Sequence, residues 1–365
     1  MRPRTRHLVI SRLGNSNSCG IRLIMARIAS MKIRPYSSKK CLNLSDADNE
    51  ILGIHHITAI ATDPQRNINF YTGLLGLRLV KLTVNFDDPN TYHLYYGDEI
   101  GHPGTILTFF PWPGAPHGRL GTGQSTATSF SIPEGAVEFW MERLKLHGID
   151  VHGPTARFSD QVLSFADPDG LRLELVAHKE AEGIPAWKDG PIPQEHAIRG
   201  FRGITLSEQD SEATAGLLTD AFGFRSVLQE ENRSRYQAPE RGRATLVDII
   251  DLPRVSRGTI SAGSVHHVAW RTRSDDEQTT WRKALIDAGL NVTPIIDRKY
   301  FHSIYFREPG GVLFEIATDP PGFTVDESAA ELGTHLMLPP WLEATRSEVE
   351  RSLPKVQLPS ISKMS

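Results

Sequence analysis

The chain has 365 residues, of which 39% are apolar, 23% charged and 8% aromatic, a composition that fits about two globular domains of ~150 residues and excludes disorder and fibrous repeats. No stretch approaches the ~18 uninterrupted apolar residues of a spanning helix, and the only cysteines, Cys19 and Cys41, precede the first predicted strand, so a reducing compartment fits. The net charge of −3 hides an asymmetry: residues 1–45 hold ten Lys or Arg and no acid, leaving 30 basic against 43 acidic residues beyond them, a net −13 that argues against a nucleic-acid partner.

In chain order the basic segment 1–45 comes first. Its Arg-rich, Ser-containing, acid-free composition is that of a mitochondrial presequence, with Arg34-Pro35-Tyr36-Ser37-Ser38 resembling a processing site. The expectation is therefore a matrix protein. The alternatives are a disordered basic tail or an upstream extension of a chain that starts at Met25 or Met31, with a cytoplasmic location.

From Gly53 the chain repeats a unit of about 50 to 70 residues four times, each read as a strand, a helix stopped by Gly, and three strands. In the first, Ile54 to Ile60 is a strand, Asp63 caps a helix with Pro64 at its first position, and Gly76 ends it. Strands at Leu77 to Val84, Tyr92 to Tyr96 and Thr105 to Phe110 follow, with Asp87-Asp88-Pro89-Asn90 as a turn. The second unit has a strand near Ala127, a helix at Ala136 to His147 and closing strands at Val162 to Phe165 and Leu171 to Val176. The third opens at Phe201, with a helix at Glu212 to Phe222 and a last strand at Ala244 to Ile250. The fourth opens with Val265-His266-His267-Val268, continues with a helix at Asp275 to Ala288, and ends with strands at Ser303 to Phe306 and Val312 to Ala317. The fold class is α+β, four βαβββ units in two open-barrel domains at 51–180 and 198–320, followed by a tail at 321–365.

Unit one aligns with unit three and unit two with unit four, which makes an internal test for a site. His56 falls opposite Gly203, His267 opposite Thr128, and Glu315 opposite Glu174. One set keeps two imidazoles and a carboxylate while its mate has lost both imidazoles, as a duplicated metal site with a single surviving copy would. Two neutral imidazoles and one carboxylate leave adjacent positions free, the donor set of non-haem Fe(II) oxygenases. Side chains alternate along a strand, so His55 and His56 are expected on opposite faces, as are His266 and His267. Alternation alone does not choose between them; the small neighbours of His56 and His267 favour those two. If Glu308-Pro309-Gly310-Gly311 is a hairpin turn, Tyr305 lies across from Glu315.

Four paired strand-helix-three-strand units resemble the vicinal oxygen chelate (glyoxalase/extradiol dioxygenase) superfamily. The runs Gly53-Ile54-His55-His56-Ile57-Thr58, Tyr92-His93-Leu94-Tyr95-Tyr96-Gly97-Asp98 and Gly333-Thr334-His335-Leu336-Met337-Leu338-Pro339-Pro340-Trp341-Leu342-Glu343 are similar to its ring-cleaving hydroquinone dioxygenase branch. The resemblance implies Fe(II), or Mn(II), on His56, His267 and Glu315, the second His of each pair being the ligand. It further implies that Arg298, Tyr305 and His266 stand near the ring. The implied reaction is extradiol-type cleavage of a hydroquinone- or catechol-like aromatic by O₂. The implied partners are that small aromatic and O₂, with no nucleic acid and no membrane span, and a homo-oligomer is compatible. The rival readings are a glyoxalase-like isomerase or lyase with a non-redox metal, and a small-molecule binding protein on the same fold.

Overall fold

The structure is a computed structural model that describes residues 50–359 except residue 241. The leader expected at 1–45, with both cysteines, lies outside the described residues. Unit one folds as β1 (Ile54–Ala61), α1 (Pro64–Ile68), β2 (Arg78–Asn85), β3 (Asp88–Gly97) and β4 (Ile106–Pro111). The Asp63 side chain accepts from the N–H of Arg66 with Pro64 at the first helical position, and Gly76 takes φ +70° where the chain leaves the helical segment. Unit two holds β5 (Gln124–Ile132), α2 (Val137–Leu146), β6 (His152–Arg157), β7 (Asp160–Ala166) and β8 (Arg172–Ala177). Unit three holds β9 (Phe201–Glu208), α3 (Glu212–Gly216), β10 (Arg225–Glu230), β11 (Arg233–Gln237) and β12 (Leu246–Asp251). Unit four holds β13 (Val265–Thr272), α4 (Asp275–Asp287), β14 (Ile296–Asp297), β15 (Phe301–Arg307) and β16 (Leu313–Pro321). A last helix, α5 (Arg346–Ser352), follows.

The strands form two eight-stranded sheets, ordered β14-β15-β16-β13-β1-β4-β3-β2 and β10-β11-β12-β9-β5-β8-β7-β6. Each sheet thus takes one unit from each half of the sequence: the first joins unit one to unit four, the second joins unit two to unit three. The halves 51–180 and 198–320 describe order along the chain, and the sheets pair across them. The seam of each is antiparallel, β1 on β13 and β5 on β9.

One apolar core runs through both sheets and includes Trp140, Trp270 and Trp281, all fully buried. Polar clamps join the sheets. Tyr71 donates to Asp167 at 3.0 Å, and Thr214 donates to Glu308 at 2.6 Å, so the helical segments of units one and three are held to the turns of units two and four. The C-terminal tail is ordered against the first sheet: the N–H of Met337 donates to the carbonyl of Leu82, and the fully buried Lys81 ammonium contacts Asp326 at 2.7 Å and also Glu327. Its two carboxylate partners offset the cost of taking that charge out of water.

Candidate metal centre

The seam of the first sheet brings β1 and β13 side by side, and β16 runs parallel to β13 on its far side. In that register Thr58 pairs with His267, His56 with Ala269, and Ala269 in turn with Glu315. The consequence is convergence. Glu315 Oε2 lies 3.0 Å from His267 Nε2 and 3.4 Å from His56 Nε2, and the two imidazole nitrogens are 3.4 Å apart. All three side chains are buried, and they form a group able to offer one ligand atom each to a metal ion.

Glu315 uses its other oxygen to accept from the Ser303 hydroxyl at 2.5 Å, while Oε2 has no well-formed hydrogen bond despite its complete burial. A buried carboxylate oxygen without a donor costs several kcal/mol, on the order of 1–3 or more, so a cation at this point would satisfy it. Burial would raise the Glu315 carboxyl, but the adjoining His56 and His267 imidazoles hold it well below the usual carboxylate range. Burial also pushes the imidazoles of His55, His93 and His267 down, and that of His266 to about 3. These rings are neutral at physiological pH, as metal ligands and their supports must be.

The expected alternation of faces fails at His266, and in both histidine pairs the two rings touch. His55 and His56 touch through their Nδ1 atoms at 2.9 Å, and His266 and His267 do so at 2.8 Å. His266 shares a cavity with His56 and His267 instead of turning away. The cause is local: the β1–β13 ladder shifts register between Ile54 and His56 and again between Thr58 and Ala59, and His266 stands only one residue inside its strand. Long rings at such a kink can lean together.

Tyr305 pairs with Glu315 across the β15–β16 hairpin, as the turn predicts. The Arg298 Nε donates to the Tyr305 hydroxyl at 3.2 Å, and Arg298 Nη1 donates to Asp87 at 3.0 Å. Burial pushes the Tyr305 phenol up, outweighing the nearby guanidinium. Burial opposes the Arg298 charge, but Tyr305 and Asp87 hold its pKa above the usual range. The cavity is closed by Phe86, Phe110 and Phe301, with His93 beside them. His93 bonds Tyr95 at 2.8 Å and Thr108 at 2.9 Å. Asp87 and His93 were missed as functional candidates by sequence reasoning. Asp87 sat in a segment read only as a turn; His93 stood inside a motif but had no partner visible in sequence.

The mate of this site shows a second correction. In the second sheet Gly203 pairs with Ser129 and Leu246, as His56 pairs with Ala269 and Ile106 in the first. His267 opposite Thr58 therefore corresponds to Ala127 opposite Thr205, one residue from the expected Thr128. A one-residue slip changes the face of a strand, and alignment of short apolar runs does not resolve it. Glu174 is the equivalent of Glu315, and it is clamped by Arg157 through two contacts of 2.7 Å.

A family model described as Glyoxalase/Bleomycin resistance protein/Dioxygenase superfamily matches residues 53–175 and again 201–316. The chain belongs to that superfamily. Among its superfamily relatives, MhqO of Bacillus subtilis (strain 168), named as a ring-cleaving dioxygenase, is 47% identical over 304 residues, spanning 83% of this chain and 96% of its own. The chlorohydroquinone/hydroquinone 1,2-dioxygenase of Sphingobium indicum is 34% identical over 309 residues, with 82% and 95% covered. A crystal structure of a protein from Bacillus subtilis subsp. subtilis str. 168, described as a dioxygenase, has a TM-score of 0.82 at 45% identity, covering 86% of this chain and 99% of that one. Glyoxalase I from Zea mays shares the fold, with a TM-score of 0.55 at 15% identity over 73% and 92% of the chains. These dioxygenase relatives are bacterial, and bacteria have no mitochondria, so the mitochondrial expectation drawn from the basic leader is withdrawn. Among the described residues no helix is long and apolar enough to cross a membrane.

Proposed function

We propose that the protein is a ring-cleaving dioxygenase acting on a hydroquinone-like aromatic, with a divalent metal held by His56, His267 and Glu315. The observation that carries this reading is the meeting of three buried ligand atoms at one point, where Glu315 Oε2 accepts no hydrogen bond. Fe(II), or Mn(II), suits the two-nitrogen, one-carboxylate donor set. When bound, such a metal supplies open positions for an ionised phenol and for O₂ and a path for electrons between them. Insertion of both oxygen atoms beside a ring hydroxyl, the extradiol-type outcome, is the proposed result. For location we propose the cytoplasm, in keeping with the bacterial relatives.

The chain's own residues have separable tasks. A ligand Nε2 must be unprotonated, which leaves the proton on Nδ1; His55 and His266 then accept that proton in a hydrogen bond and fix each ring's orientation. The Tyr305 hydroxyl accepts from Arg298 and keeps its own proton, because burial disfavours the phenolate. It is therefore a donor to a substrate oxygen, not a base. Asp87 holds Arg298 in place from the other unit of the sheet. Phe110 and Phe301 supply flat apolar surface for a ring. The free space among these groups is only ≈ 30 Å³, so an aromatic enters by displacing Phe86 and the half-exposed Trp341 that packs edge-on to it at 5.6 Å.

Against an isomerase with four protein ligands, the group able to hold a metal offers three residues. Against a pure binding role, two imidazoles and a carboxylate without a donor would be unnecessary. The test is anaerobic purification with metal analysis, then oxygen-electrode assays with hydroquinone, chlorohydroquinone, catechol and the methylglyoxal–glutathione adduct. Oxygen uptake with a hydroquinone is expected; turnover of the adduct without oxygen uptake would sink the proposal.

A further inference from the structure

The second sheet encloses a cavity of ≈ 500 Å³ at the place equivalent to the metal centre. Register identifies its contents. Tyr305 opposite Glu315 corresponds to Ser164 opposite Glu174, and Tyr95 opposite Thr108 corresponds to Arg235 opposite Asp248. In the hairpins before those strands Asp297 opposite His302 corresponds to Ala156 opposite Gln161, so Arg157 occupies the place of Arg298. Counting two residues back from Tyr95 and Arg235, Arg233 occupies the place of His93. The cavity has thus lost both ligand imidazoles, to Gly203 and Ala127, and gained a guanidinium where the catalytic cavity has an imidazole.

These cations are paired with carboxylates, but one guanidinium keeps an open edge on the cavity. Arg157 is spent on Glu174. Arg202, Arg233 and Arg235 pair with Asp160 and Asp248 at 2.7 to 3.1 Å, and Arg202 also meets Glu180 at 3.8 Å. Arg233 uses only Nη1, which donates to Asp248 at 2.9 Å and to Thr205 at 3.2 Å. Its Nε and Nη2, the parallel pair that fits a carboxylate in two hydrogen bonds, have no hydrogen-bond partner among the described residues, and the side chain lines the cavity. Burial, and after it the charge of Arg157, hold the Arg233 guanidinium below its usual range. An anion would relieve that repulsion. Around the arginine the wall is mixed, with Ala127, Phe165 and Ile250 beside Ser164 and Thr126.

We propose that this second cavity binds a small organic anion, its carboxylate seated on the Nε–Nη2 edge of Arg233 and its apolar body against Ala127, Phe165 and Ile250. The site is separate from the metal centre, in the other sheet, and does not depend on the reaction proposed above.

The probe is 4-fluorobenzoate, followed by ¹⁹F NMR on the full, metal-loaded chain. Saturable binding is expected. Arg233→Gln should weaken it roughly 10-fold or more, the cost of losing a charge-assisted bidentate contact, and Arg298→Gln should leave it unchanged. Arg233→Lys should also weaken it, because a point charge lacks the fork. Asp248 keeps its bonds to Arg235 in these variants, so folding should persist; Ala127→Leu, which fills the cavity without touching an ion pair, should abolish binding independently. A response still linear at roughly 10 mM probe, or binding lost in Arg298→Gln but retained in both Arg233→Gln and Ala127→Leu, would overturn the proposal.

Discussion

His56, His267 and Glu315 each contribute one atom to a single point, but they depend differently on their neighbours. Removing His55 leaves the His56 nitrogen in place and removes only the group that orients it, so His55→Ala should weaken metal binding by about 10- to 100-fold. His56→Ala should abolish stable binding. Competition with a chelator, read by metal analysis, separates the two outcomes. Tyr305→Phe should retain the metal and lose about 10²- to 10⁴-fold in turnover, if its hydroxyl assists proton movement at the substrate; a variant with wild-type turnover would remove Tyr305 from the mechanism. At this scale the sequence carried much: the triad could be read from duplication and residue type. It did not carry the contacts of His55 with His56 or of Asp87 with Arg298, which arise from a kinked ladder and from a turn packed against another unit 211 positions away. Neither leaves a periodic trace along the chain.

Elements were read well wherever a local signal existed. The Asp63-Pro64 start of α1, the glycine after each helical segment and the Tyr305–Glu315 register all follow from short-range chemistry. The correspondence of β5 with β13 did not, because Ala127 and Thr128 are both small and nothing local distinguishes them. The end of β9 carries a further consequence. Glu208 is fully buried and neither of its carboxyl oxygens has a hydrogen-bond partner. Burial, and after it the charge of Glu308, push its carboxyl up to about 9, against the pull of Arg257. Because the folded value lies above the ordinary 4.5, its contribution to stability is complete below about pH 4.5 and is lost as pH rises through about 9. Glu208→Gln should flatten that decline and exceed the wild type in stability at alkaline pH by about 1 kcal/mol or more. Urea midpoints at mildly acidic and alkaline pH measure it; an equal decline in both proteins would show that Glu208 is ionised in the fold.

Across the whole molecule, the pairing of unit one with unit four means that neither half of the sequence can complete a sheet by itself. Residues 51–180 and 198–320 expressed separately should each lack a cooperative unfolding transition and metal, whereas co-expression should restore both. A metal-binding, cooperatively folded single half would contradict the sheet order. That order was hidden because a duplicated sequence reads the same whether its units pair as neighbours or across the chain; long-range packing decides. The wall of the metal cavity is also a property of the assembled chain, since Phe86 lines it and Trp341 of the tail packs edge-on to Phe86. Trp341→Ala should change KM for a hydroquinone more than kcat, a split that steady-state kinetics reads directly.

On the proposed reading, His56, His267 and Glu315 together hold the metal at which a hydroquinone is opened by O₂. Oxygen uptake with hydroquinone, measured on anaerobically Fe(II)-loaded wild type and Glu315→Ala at equal protein concentration, tests it most directly. Uptake in step with hydroquinone consumed is expected in the wild type and none above background in the variant; uptake at the wild-type rate by Glu315→Ala would show that the metal is not held there.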